Sequence, residues 1–159
     1  MSGVLVNPAC QPAFEKITEP KSQVRYVIYK IEDNEIVVET AGVTEQLGYD
    51  DNSKVVYESF VADLKERTAG FSDCRYAVFD FKFTTNRTGA GVSRMDKLVF
   101  FQVCPDKAHI KKKMVYAASA AAIKSALGSE RFLQFQIADE SDIAHDQLVS
   151  SLNSKFSDN

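Results

Sequence analysis

Lys111, Lys112 and Lys113 stand in a row just before Met114 and a run of small residues, Ala117, Ala118, Ala120, Ala121 and Ala122. Three adjacent cations cannot share one side of a helix, because successive residues are rotated by about 100°. In the first turns of a helix they also meet the positive end of its dipole, at a cost of roughly 0.3–1 kcal/mol each. A solvated helix end, tolerated because the alanines carry the helix, explains the run without any function. The competing chemistry is recognition of an acidic partner. In that reading Ile110, Met114, Ala117 and Ala121 form a slim apolar stripe that enters a hydrophobic cleft, and the face around Val115, Ala118, Ala122 and Ile123 serves the core.

Residue patterns for catalysis are thin. Gly89-Ala90-Gly91 lacks the Lys-Ser/Thr of a phosphate-cradling loop and the third glycine of a dinucleotide loop, and it precedes a strand. His109 and His145 fall near the starts of two different helices, outside any metal or nucleophile pattern, and read as solvated. Cys10, Cys74 and Cys104 are an odd set, far apart in sequence and without CxxC spacing, so they read as small core residues of a protein in a reducing compartment. Asp139, Glu140 and Asp142 resemble paired acids, but carboxylates at a helix start are the expected complement to its dipole. No metal or cofactor is implied.

The elements that must position the lysine run follow from periodicity. Asn7-Pro8 opens a short helix holding Phe14 and Ile17, stopped before Pro20. Val24–Ile31 and Ile36–Thr40 flank a polar turn and form a β-hairpin. Val56, Phe60 and Leu64, with Tyr57 and Val61 beside them, recur at helical spacing from Ser53 to Arg67, after a capping cluster Asp50-Asp51-Asn52-Ser53 and before Gly70. Cys74–Phe83 alternates, with Ala77, Phe79, Phe81 and Phe83 on one face, and pairs with Leu98–Val103. The polar stretch Thr84–Ser93 between them reads as a projecting, mobile loop.

A long helix over Lys107–Leu127, capped by Asp106 and closed by Gly128, crosses to a strand at Phe132–Ile137. A last helix begins near Ser141, with Ile143, Leu148, Leu152 and Phe156 inward. Two antiparallel hairpins joined to a crossover require a mixed sheet of five to six strands in an α/β (α+β) domain, with helices on both faces.

The chain has 159 residues, 45% of them hydrophobic, which suits one domain with a real core. With 22 acidic residues against 19 Lys and Arg, its net charge of -3 argues against general affinity for nucleic acid. Its start has no basic segment leading into a long apolar run, and Met114–Ile123 is too short to span a bilayer, so a soluble, cytoplasmic protein is expected.

Asp73-Cys74-Arg75-Tyr76-Ala77-Val78-Phe79-Asp80, Lys97-Leu98-Val99-Phe100 and Lys111-Lys112-Lys113-Met114-Val115-Tyr116-Ala117-Ala118-Ser119, with Met1-Ser2-Gly3-Val4 ahead of them, resemble the actin-depolymerising factor/cofilin family in order and spacing. The resemblance spans nearly the whole chain. It implies a single actin-depolymerising-factor homology domain over 1–159, with residues 1–6 a flexible tail, no enzymatic activity, and actin as partner. By position, Ser2, Gly3, Val4, Ile110, Lys111, Lys113, Met114 and Ser119 match the family's monomer-binding site. Ser2 matches a serine whose phosphorylation inhibits family members, since about two added negative charges would face acidic actin. Lys111, Lys112 and Lys113 are the matching receivers for phosphoinositide head groups.

Departures from the family concern its filament site, built from the hairpin loop and the last helix. Ser150, Ser151 and Ser154 stand where the family commonly carries Glu and Arg. Arg87 and Arg94 are kept, but a carboxylate common before the next strand is replaced by Lys97, with Asp96 one step earlier. The reading that follows is a monomeric protein that binds actin monomers, depolymerises filaments, and holds filament sides weakly. The alternative is an interaction module of the same fold for an acidic protein or lipid.

Overall fold

The computed structural model describes residues 3–19, 22–45, 47–87, 89, 91–128 and 132–156, apart from the side chains of Arg87 and Phe156. Its elements are β1 (Leu5–Val6), α1 (Cys10–Thr18), β2 (Val24–Glu32), β3 (Glu35–Val43), α2 (Lys54–Arg67), β4 (Arg75–Arg87), β5 (Gly91–Val103), α3 (Ile110–Leu127), β6 (Leu133–Ile137) and α4 (His145–Phe156). The strands form one mixed sheet in the order β1-β3-β2-β4-β5-β6. Neighbours from β3 to β5 are antiparallel, while β1 and β6 lie parallel to β3 and β5.

Alternation in β4 sends two sets of side chains to opposite faces. Ala77, Phe79, Phe81 and Phe83 join Tyr57, Phe60 and Leu64 of α2 and Leu148 and Leu152 of α4. Tyr76 and Val78 join Phe14 and Ile17 of α1 and Tyr116, Ile123 and Leu127 of α3. Each face is therefore sealed by a helix pair, and every fully buried aromatic ring in it is worth roughly 1.5–3 kcal/mol. Gly42 faces Tyr26 in the β2–β3 ladder, and any Cβ there would lie 2.0 Å from the Tyr26 ring.

Several boundaries differ from the sequence-based expectation. Thr84–Ser93 is mostly strand: the ladder runs unbroken from Lys82↔Asp96 through Thr84↔Arg94 to Arg87↔Gly91, so backbone pairing extends the hairpin as a ribbon. Ser53 does not cap α2 with its side chain, although it precedes that helix, in a left-handed conformation with φ +60°. Fully buried, its hydroxyl accepts from Arg25 Nη2 (2.7 Å) and Lys82 N (3.0 Å) and donates to Lys82 O (2.8 Å), tying the α2 entrance to β2 and β4.

α3 starts three residues later than expected. Asp106 is not its cap, because His109 takes that place; the Asp106 N–H donates to Ala138 O beside the sheet, and Ala108 N closes a turn onto Pro105 O. Residues Val4–Val6 are not free tail: Val4 is packed in the core and Leu5–Val6 pair with Glu35–Ile36. A two-residue strand leaves no periodicity to read. The acids before α4 do cap, as expected, with Asp139 and Asp142 forming a capping box on a 3-10 turn at Glu140–Ile143. Phe156 was expected inward, and its side chain lies outside the described ones. Among the described residues no helix is long and apolar enough to cross a membrane.

Candidate functional site

The first turn of α3 gathers the residues that the lysine run singled out. His109 is exposed, as expected of a solvated residue, and it is also the helix N-cap, its Nδ1 accepting from Lys111 N at 3.2 Å. Ile110 thus takes the first helical position and the three lysines the next three. The buried stripe is Tyr116, Ser119, Ala120, Ile123 and Leu127. The expected core face of Val115, Ala118 and Ala122 is wrong except for Ile123; Val115 is 40% exposed. The bulky residues Tyr116, Ile123 and Leu127, spaced by seven and four, carried the signal that the alanines masked.

Tyr116 fastens the helix to the sheet. Its hydroxyl accepts from Ile31 N (2.8 Å), its carbonyl accepts from the Tyr76 hydroxyl, and the two rings lie 5.0 Å apart. One turn earlier on the same side, Lys112 Nζ meets Asp73 Oδ1 at 2.7 Å. Asp73 also accepts from Arg75 Nη1 (2.9 Å) and Cys74 N (2.8 Å). Partial burial works to raise its pKa, but the Lys112 and Arg75 hydrogen bonds outweigh that and hold the carboxyl below its ordinary value.

The opposite side of α3 is bare. Ile110 and Met114 are each 64% exposed, and Ala117, Ala118 and Ala121 continue the bare stripe. Lys111 and Lys113 flank it on either side, since two residues span about 200° of helix. The lysine run therefore divides: Lys112, though exposed, is tied to Asp73 on the far side of the helix, while Lys111 and Lys113 border an exposed apolar ridge, Lys113 half-buried with its Nζ 3.5 Å from Asp106 O. Ser119 is fully buried against Tyr76, so it supports the helix from beneath and offers no side chain to a partner. β1 touches α3, bringing the start of the chain beside it; Gly3 O accepts from Asn34 Nδ2 at 3.1 Å, and Leu5 is 68% exposed. Ser2 lies outside the described residues.

The residues read as a filament site are divided by the structure. Arg94 lies over the Tyr49 ring, 5.0 Å from its centroid, and the Tyr49 hydroxyl donates to Asp96. Asp96 also pairs with Lys82 at 3.2 Å, so it is held within the protein. By alternation, Lys97 points to the other face of the hairpin, that of Phe81 and α4. On α4, Ser150 and Ser154 are exposed and Ser151 is half-buried. Arg87 is the last residue of β4, opposite Gly91. His145, expected to be solvated, stacks on Phe81 (5.9 Å) and its Nε2 lies 2.8 Å from Asn52 O.

A slim ridge bordered by two cations, on a helix bolted to a mixed sheet, suits recognition and no bond-making step. Among the described residues no three His, Cys, Asp or Glu side chains are grouped to hold a metal ion. The family model for cofilin/tropomyosin-type actin-binding proteins matches residues 3–153.

The chain belongs to this family.

Actin-depolymerizing factor 1, isoforms a/b, of Caenorhabditis elegans is 54% identical over 154 residues, covering 94% of this chain and 73% of that one. Actin-depolymerizing factor 2, isoform c, of the same organism is 37% identical and 96% of each chain is covered. The solution structure of the ADF-like UNC-60A protein of C. elegans superposes with a TM-score of 0.82 at 52% identity over 99% of both chains. The cofilin of Streptomyces griseoflavus gives 0.70 at 29% identity over 93% of this chain and 98% of its own. The fold is the actin-depolymerising-factor homology fold, and the family is one of actin-binding proteins, not enzymes.

Proposed function

We propose that this protein binds actin monomers and promotes filament depolymerisation through the outward ridge of α3. The observation that carries the reading is Ile110 and Met114, each 64% exposed, on a helix whose other side is anchored by Tyr116 and Lys112. A rigid ridge with a narrow alanine floor loses little entropy on entering an apolar cleft. Lys111 and Lys113 then reach acidic groups at the cleft's rims. Gly3 lies near enough to add contacts, whereas the Val4 side chain is packed in the core and offers none, and Ser2 is the proposed site of inhibitory phosphorylation. Names of relatives, among them actin-depolymerizing factors and cofilins, support the same activity, and nothing favours an interaction module without actin.

The whole chain acts as one monomeric domain at the actin cytoskeleton in the cytoplasm. Phosphoinositide head groups compete at Lys111 and Lys113, whereas Lys112 is engaged with Asp73. Filament sides are held weakly, because Ser150 and Ser154 offer no charge on the exposed face of α4 and Asp96 is engaged by Tyr49 and Lys82.

Co-sedimentation with preformed actin filaments tests this. The expected result is extra actin in the supernatant with little of this protein in the pellet, and recovery in the pellet for a Ser151→Arg, Ser154→Arg variant. Stoichiometric pelleting of the unaltered protein overturns the weak filament site. Unchanged supernatant actin without pelleting overturns the actin reading.

A further inference from the structure

Cys74 and Cys104 are 30 positions apart, yet the β4–β5 hairpin brings them face to face. The ladder pairs Arg75 with Val103, which makes Cys74 and Cys104 the next opposed residues. Cys104 N donates to Ile137 O of β6 at 3.0 Å, so its backbone groups point away from β4. The N–H of Cys74 is likewise turned aside, to Asp73 Oδ1. The two are therefore opposed without mutual backbone hydrogen bonds. In that arrangement Cα atoms lie about 4.5 Å apart and side chains are closest, within the range a disulfide spans.

We propose that Cys74 and Cys104 form a hydroperoxide-responsive thiol pair, in which Cys104 is the oxidised sulfur and Cys74 resolves it as an intramolecular disulfide.

Exposure assigns the roles, since Cys104 is only partly buried and Cys74 is fully buried. Their hydrogen bonding agrees. The Cys74 thiol donates to the Cys104 sulfur, which with the Gln102 amide (4.0 Å) and the Lys113 charge outweighs burial and lowers the Cys104 pKa to about 7. That bond to Cys104, together with burial, pushes the Cys74 thiol up. A thiolate with access to solvent is the form that attacks peroxide. Cys10 is a built-in contrast: buried, with its thiol donating to Ile36 O at 3.4 Å and its pKa pushed up to about 11.

The chemistry balances with hydrogen peroxide as the two-electron oxidant. The Cys104 thiolate attacks one peroxide oxygen, the O–O bond breaks, hydroxide leaves and Cys104 becomes a sulfenic acid. The Cys74 sulfur then attacks Cys104 sulfur, the S–S bond forms as the S–O bond breaks, and the departing hydroxide takes the Cys74 proton as water. In sum, two thiols and one peroxide give one disulfide and two waters.

The experiment exposes the intact protein to a slight excess of hydrogen peroxide, blocks remaining thiols under denaturing conditions, and maps peptides by mass. The expected product is a monomer with three free thiols reduced to one, a Cys74–Cys104 linked peptide pair, and Cys10 free. In a Cys74→Ser variant, dimedone traps a sulfenic acid on Cys104 that the unaltered protein does not accumulate. Because the mapping uses the unaltered chain, poor folding of that variant leaves the test intact. Oxidation that links Cys10, yields only intermolecular dimers, or leaves all three thiols free overturns the proposal.

Discussion

Reversing the charge of Lys111 and Lys113 together, and of Lys112 alone, separates the two kinds of lysine. Lys111 and Lys113 occupy the second and fourth helical positions, so replacing each by Glu puts an anion where the dipole favours one, for a gain of roughly 0.5–2 kcal/mol across the pair. The double variant should melt no lower than the unaltered protein, and up to about 8 °C higher for a domain of this size. Lys112→Glu instead loses an ion pair to Asp73 in which Lys112 is 50% exposed, worth about 0–1 kcal/mol after solvent screening, and adds like-charge repulsion against the same dipole gain. Its stability should fall by no more than about 1 kcal/mol, with Asp73 still held by Arg75.

Affinity should sort the opposite way. Two reversed charges facing acidic rims cost about 1–2 kcal/mol each, so monomer binding should weaken about 30- to 1,000-fold in the Lys111→Glu, Lys113→Glu variant. Lys112 is tied to Asp73 on the side of α3 away from the ridge, and at physiological salt its reversal should change binding by about fivefold or less. Fluorescence titration of labelled actin monomers, with thermal melts of the same samples, reads both quantities. Wild-type affinity in the double variant would refute the site, and an equal loss from Lys112→Glu would show that net charge, not the geometry of the ridge, governs binding.

Ser53→Ala leaves one Arg25 N–H and the Lys82 N–H without their buried acceptor, so urea unfolding should show a loss of about 2–4 kcal/mol, with a loss below about 1 kcal/mol counting against the role given to this hydroxyl. Asp73 has a folded-state pKa below its unfolded value, so its contribution is complete above the ordinary carboxylate range and disappears as pH falls through the folded value. Asp73→Asn should therefore flatten the fall in unfolding free energy below about pH 4, and an unchanged acid limb would remove Asp73 from the account.

Much of the fold is legible in local patterning. Alternation in Cys74–Phe83 and 3.6-residue spacing from Val56 to Leu64 each specify one face, because a strand or helix buries whichever side carries its apolar residues. The DCRYA stretch and the lysine-methionine stretch identify the family without coordinates, and the model match over residues 3–153 agrees. Signals failed where the deciding partner is distant. Asp106 and Ser53 have the right residue types for caps, yet the segment after Asp106 is tied by its backbone to Ala138 before the helix begins, and Arg25 and Lys82 claim the Ser53 hydroxyl.

The lysine run shows the division most clearly. Sequence by itself determined that three cations begin an alanine-rich helix and that they cannot share a side, since that follows from residue order and helical pitch. Which lysine is an anchor was decided by Asp73 just before β4, 39 positions upstream, and by Tyr116 reaching Ile31 on β2. Those contacts set the rotation of α3 and thereby turn Ile110 and Met114 outward and Ser119 inward. Likewise the order of residues shows three scattered cysteines, and only the pairing of β4 with β5 places two of them together. Periodicity is a property of one segment, whereas the rotation and pairing of segments depend on side chains that meet only after the chain has closed on itself.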